Sequence, residues 1–193
     1  MPYSGGSYVL SGGRVYTSFD ASIVRITTEC GIEGWGESTP FGSNYVAAHA
    51  QGVRAGIAEM ASNLIGLDPR HSDRFNERMD DLLAGHLHAK TPLDIACWDI
   101  FGKSVDMPVC DLLGGSTGNR LPVISSIYAG EPDDMRTRVQ QHREQGYRGH
   151  SVKIGASERE GGPRLDAERI KASLADAKVG GYFIVDANGG MTL

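Results

Sequence analysis

Cysteine is scarce in this chain. The three present, Cys30, Cys97 and Cys110, are odd in number and widely spaced, and no C-x-x-C pair exists. That argues against a disulfide framework or a cysteine zinc site and fits a reducing cytoplasm, with free thiols serving as small core residues. Positive charge is also short: 19 Lys and Arg against 24 Asp and Glu give a net charge of -5. This balance offers no electrostatic footprint for nucleic acid or an anionic membrane. Long apolar runs are missing, and none approaches a membrane span. The stretch Met1 to Gly6 lacks a basic segment followed by an apolar core, so no secretory signal is expected. No internal repeat or low-complexity tract stands out. What remains is ordinary for a soluble globular protein: 193 residues, 40% hydrophobic and 22% charged, enough for one large domain or two small ones.

The order of elements changes partway along. Ala21 to Glu29 and Ile32 to Glu37 read as two strands of a hairpin around Cys30-Gly31. Gly34 and Gly36 flank Trp35, which suggests a bend or a close backbone approach. Three helices follow. The first covers about Tyr45 to Leu64, with Val53, Ile57, Met60, Ala61 and Leu64 at helical spacing. The second is capped by Ser72 or Asp73 and carries Phe75, Met79, Leu82 and Leu83 on one face. After a break at Gly85 to His88, Thr91-Pro92 opens the third, with Pro92 in a first turn that needs no donor. Leu112 to Ser116 marks a boundary. Beyond it strands and helices alternate: strand Pro122 to Tyr128, helix Glu131 to Gln145, strand Gly149 to Ile154, helix Arg164 to Lys178, strand Tyr182 to Val185. Such alternation predicts right-handed βαβ units and a parallel sheet.

Two charged residues follow apolar runs one βα unit apart, Lys153 after His150-Ser151-Val152 and Asp186 after Tyr182 to Val185. In a parallel α/β barrel the C-terminal strand ends open on one pocket, so a candidate base and a candidate metal ligand share a site. A lysine serves as base when burial or a nearby cation weakens its hold on the proton, and a carboxylate oxygen suits a hard cation. Three strands cannot close a barrel, which needs about 250 residues when complete. The expectation is therefore a piece of a longer protein. A nucleotide-binding βαβαβ fold needs a glycine-rich first turn, whereas Ala129 to Asp134 is acidic and would repel phosphate.

Gly34-Trp35-Gly36-Glu37, Pro92 to Lys103 and Pro108 to Gly115, in this order and spacing, resemble the enolase superfamily. More narrowly, they resemble its mandelate racemase and muconate lactonizing enzyme branch. The resemblance implies an α+β capping domain, residues 1–120, followed by the first part of a modified TIM (β/α) barrel, residues 121–193, with strands 1–3 only. It also implies Mg²⁺-assisted removal of a proton next to a carboxylate, a small-molecule carboxylate substrate, and assembly into a homo-oligomer. The family's first strand is expected to precede this chain, and two further metal carboxylates and the opposite-face acid/base to follow it. Lys153 falls on the second lysine of a Lys-x-Lys strand-end motif. Ser151 stands at the first, and residues i and i+2 of a strand face the same side. Asp186 falls on the first metal carboxylate and Asn188 on its companion in an Asp-x-Asn pattern.

The capping domain of this family sets substrate choice, which directs attention to the loops Phe41 to Tyr45 and Gly85 to His88. Phe41, Ser43, Tyr45 and His86 are the candidate substrate-binding residues. An aromatic face such as that of Tyr45 suits an ammonium or pyrrolidinium group through cation–π attraction. The run Gly34 to His49, Gly85-His86 and Ser151 resemble the subgroup acting on proline derivatives, hydroxyproline-betaine epimerases and cis-3-hydroxyproline dehydratases. The alternatives are another acid-sugar dehydratase or cycloisomerase of the superfamily, or a non-catalytic chain of the family.

Overall fold

The computed structural model describes residues 2–3 and 6–191. In chain order the elements are β1 (Tyr8–Leu10), β2 (Arg14–Tyr16), β3 (Ser22–Thr27), β4 (Glu33–Ser38), α1 (Ala50–Leu64), α2 (Ser72–Leu82), α3 (Leu87–Ser104), α4 (Val109–Leu112), β5 (Ile124–Ile127), α5 (Pro132–Glu144), β6 (Gly149–Lys153), α6 (Gly162–Leu174) and β7 (Tyr182–Asp186). Contacts divide the chain into two units, one spanning Ser18–Asn119, the other joining Pro2–Thr17 to the chain from Arg120 onward. A division at residue 120 alone would have left residues 2–17 with the first unit.

In the first unit β3 and β4 form an antiparallel hairpin, with Val24 opposite Gly36 and Ile26 opposite Gly34. The strand β4 lies directly on α3. A Cβ built on Gly34 would stand 2.1 Å from the Ala96 carbonyl oxygen, and one on Gly36 would stand 1.9 Å from that of Pro92. Close approach, rather than a bend, is why glycine occupies both positions. Trp35 between them points away, donates its backbone N–H to Asp99 Oδ2 at 3.0 Å and stays about half exposed. Beneath the hairpin, Met60, Leu64, Phe75, Met79, Ala89, Leu93 and Cys97 form one buried cluster, with Val24 and Ile26 packed against it. Burial raises the Cys97 thiol to about 12, so it is an inert core residue.

Three helix starts differ from the sequence expectation. The first helix begins at Ala50, not Tyr45, because His49 is extended and its ring accepts the Gly52 N–H at 3.2 Å. His71, rather than Ser72 or Asp73, occupies the N-cap position of α2, with no side-chain capping bond. The third helix starts at Leu87, so Pro92 lies inside it and not in its first turn. Gly85 and His86 are both left-handed, at φ +67 and φ 51, and the His86 carbonyl takes the N–H of Ala89 at once. Pro92 then forfeits only the bond to the His88 carbonyl.

The second unit holds the parallel sheet β5-β6-β7. Ser125 pairs in register with His150, His150 with Phe183, and Lys153 with Asp186. Ile127, Met135, Val139 and Val152 make its buried core, with Phe183 against them. Every residue of β6 is buried, as a central parallel strand requires. The β1–β2 hairpin, for which residues 1–20 gave no expectation, belongs to this unit. Gly12 and Gly13, at φ 70 and 71, turn it. The βαβ reading of residues 122–185 holds within a few residues at each end.

Candidate active site

Lys153 and Asp186 end neighbouring parallel strands, in register. Alternation along β6 sends His150 and Val152 toward the helices and Ser151 and Lys153 to the opposite face. There the Lys153 Nζ donates to Asp186 Oδ2 at 2.5 Å, with the lysine only 8% exposed. Asp186 also receives the Asn188 backbone N–H at 2.9 Å on Oδ1 and the Asn188 side-chain amide at 3.1 Å on Oδ2. Asn188 reaches back in this way because it is left-handed, at φ 45, a conformation asparagine tolerates. Burial pushes the Asp186 carboxyl up, but the Lys153 and Asn188 donors outweigh it and hold the group below its ordinary value. Ser151 is buried on the same face as Lys153, opposite Ser126 of β5. The four residues expected at this end of the sheet are thus brought together.

Behind the sheet, His150 is fully buried, with Nδ1 2.7 Å from Ser125 Oγ and its ring 5.3 Å from that of Phe183. Burial, then the charges of Arg143 and His142, push its pKa below the ordinary histidine value, so it is neutral structure and not a site residue.

The β1–β2 hairpin crosses the site face and is the feature that sequence reasoning missed. Tyr8 Oη lies 2.8 Å from Ser126 Oγ on β5. The Ser11 hydroxyl donates to the carbonyl of Ile154, and the Gly12 N–H donates to that of Gly155 at 2.8 Å. Arg14 donates to the Asn188 carbonyl at 3.4 Å. The Gly12-Gly13 turn between apolar residues was the available signal.

The expected substrate-binding residues lie in the first unit. Phe41 and Tyr45 meet edge to face at 5.6 Å, and Phe19, which the sequence did not single out, lies 4.9 Å from Phe41. Ser43 is exposed in the same loop. His86 is exposed, with Nδ1 2.8 Å from the Ala84 carbonyl. The carbonyl only accepts, so Nδ1 is the donor in that bond.

A metal bound here would use oxygen. Asp186 supplies a hard carboxylate of the kind Mg²⁺ takes, and the Lys153 ammonium now rests on it. Among the described residues no group of three or more His, Cys, Asp or Glu side chains is placed to hold a metal. The chemistry of Asp186 therefore fits one ligand of a larger set. No helix of the described residues is long and apolar enough to cross a membrane.

A capping α+β unit followed by parallel β/α units, with a lysine and an aspartate on adjacent strand ends, defines the class. The chain belongs to the mandelate racemase/muconate lactonizing enzyme family, whose N-terminal domain profile matches residues 14–114. It is similar to a cis-3-hydroxy-L-proline dehydratase from Roseibium aggregatum, at 36% identity over 192 residues, which covers 100% of this chain and 51% of that protein. It is also similar to a mandelate racemase/muconate lactonizing enzyme structure from Roseovarius nubinhibens ISM complexed with magnesium. That match has 55% identity and a TM-score of 0.94, and covers 100% of this chain and 52% of the other. A third relative, from Aspergillus oryzae, shows 63% identity, a TM-score of 0.86 and coverage of 96% and 50%. The chain spans about half the length of these relatives.

Proposed function

We propose that the protein removes the α-proton of a proline-derived carboxylate with Mg²⁺ assistance, and that Lys153 is the base. One observation carries the reading: the Lys153 amine and the Asp186 carboxylate meet at 2.5 Å on adjacent C-terminal strand ends. An α-proton beside a carboxylate is weakly acidic because its loss builds a second negative charge on the carboxylate oxygens. Bound Mg²⁺ would supply positive charge at those oxygens, with Asp186 as one ligand and Asn188 orienting it. Lys153 rests on Asp186 as an ammonium, so it must leave that carboxylate and give up one of its own protons before its amine can accept the α-proton. Buried beside Ser151 instead of a second lysine, it faces no neighbouring ammonium at that position.

The proline-derived substrate is supported by the Roseibium relative, and within the first unit Phe19, Phe41 and Tyr45 form an aromatic group of the kind that holds a cation. Aromatic faces attract a ring ammonium by about 0.5–2 kcal/mol. A dehydratase follows proton removal with loss of the β-hydroxyl as water, whereas an epimerase returns a proton to the opposite face. The test uses the full-length protein with cis-3-hydroxy-L-proline and Mg²⁺ in D₂O. Deuterium enters the α-carbon or water is lost with the native enzyme, and neither occurs with Lys153→Ala. Turnover that survives in Lys153→Ala removes Lys153 from the base role. Epimerised substrate with no water loss moves the reading from dehydratase to epimerase.

A further inference from the structure

Beyond the strand ends, the second unit contains a buried ion pair that the proton-abstraction reading does not use. Asp166 and Arg169 are one helical turn apart on α6, 7% exposed each, with Arg169 Nη1 3.3 Å from Asp166 Oδ1. Their remaining hydrogen bonds go to two loops. Asp166 Oδ2 accepts the N–H of Gly155 at 2.8 Å and of Ala156 at 3.0 Å, two and three residues after Lys153. Arg169 Nε donates to the Gly130 carbonyl at 2.9 Å, in the loop after β5.

We infer that Asp166 and Arg169 are positioning residues that hold the segment after Lys153, and so fix where the lysine amine stands. Replacing a buried ion pair with apolar residues is often neutral or stabilising, so stability is a poor account of this one. Its geometry supplies a better one. The peptides from 154 to 156 are gripped from both sides: Asp166 takes the N–H groups of Gly155 and Ala156, while Ser11 and Gly12 take the carbonyls of Ile154 and Gly155. The Ile154 N–H goes to the Asp186 carbonyl at 3.0 Å. Little freedom is left to the two residues that follow Lys153. Arg169 extends the hold to the neighbouring strand end, because its planar fork reaches Asp166 and Gly130 together, which a lysine amine cannot do.

The inference rests on Lys153 being the base, so its test has one arm with substrate and one without. In the substrate-free arm, the full-length protein is treated with acetic anhydride at one pH, and acetylation of Lys153 is followed by mass spectrometry against exposed Lys178. Arg169→Met is expected to raise Lys153 labelling severalfold relative to Lys178 and to speed amide exchange at Gly155 and Ala156. In the other arm, kcat per folded molecule toward cis-3-hydroxy-L-proline falls about 100-fold, the scale of a misplacement near 1 Å. KM stays within a small factor, and a merely structural role would leave kcat per folded molecule unchanged. A folded Arg169→Met with native labelling and native kcat overturns the inference. If Arg169→Met does not fold, Arg169→Lys is read in its place, with the same expectations and the same overturning result. If the native enzyme leaves this probe untouched, the proposed substrate fails, and the labelling arm alone decides the role of Arg169.

Discussion

At the scale of single residues, the site is a contest for one carboxylate. Asp186 takes donors from Lys153 and from the backbone and side chain of Asn188, which together hold it ionised against burial. A hard cation competes for the same oxygens, so Asp186→Asn is expected to weaken Mg²⁺ binding by the full-length protein at least tenfold, about 1.4 kcal/mol. Calorimetric titration checks this, and an unchanged affinity removes Asp186 from the ligand set. Lys153 and Asp186 were legible because each closes a strand one βα unit from the other, and strand alternation did the rest. Ser151 and Asn188 carried no such signal and were found through resemblance. Phe19, Tyr8 and Ser11 were not legible, since each acts through a partner far along the chain: Phe41, Ser126 and Ile154.

At the scale of elements, two glycines in β4 determine how the hairpin meets α3. Both have ordinary backbone conformations, and the constraint on them is distance alone. Gly36→Ala would drive a Cβ into the Pro92 carbonyl, a backbone atom that cannot swing aside. The expected cost is about 3 kcal/mol, the upper part of the usual range for overpacking. Gly66→Ala is the control. Gly66 is left-handed, at φ +88, but nothing lies within 4 Å of its Cβ position. Its expected cost is only the 1–2 kcal/mol or so of a left-handed alanine. Thermal melting of the two variants separates the effects, and equal losses would show that close approach is not the constraint. The sequence signal for this packing was the Gly-Trp-Gly spacing itself. Helix starts were harder to read, because His49, His71 and His86 end the preceding loops by backbone conformations that periodicity does not encode.

At the scale of the molecule, acid should act on the second unit in two separate steps. His150 is buried and neutral among Arg143, His142, Phe183 and Ser125, and its pKa lies below the ordinary 6.5. The unfolded chain therefore binds a proton there before the folded one does, so the stabilisation is complete above pH 6.5 and is lost as pH falls from there toward the folded value. Asp186 is also depressed, but from an ordinary 3.8, so its contribution is full above that value and fades only at lower pH. Between pH 7 and pH 5 the histidine's contribution begins to be lost, because that interval spans 6.5, while the aspartate's stays full. Urea unfolding followed by hydrogen exchange in β6 should show protection falling across that interval in the native protein. In His150→Gln, which keeps a hydrogen-bonding group for Ser125 but has nothing to titrate, protection should stay nearly level. The first-unit core of Met60, Phe75, Met79 and Leu93 holds no buried histidine, and its protection should change little over the same interval in both proteins. Parallel loss in both units, or the same slope in His150→Gln, would place the acid-sensitive group elsewhere.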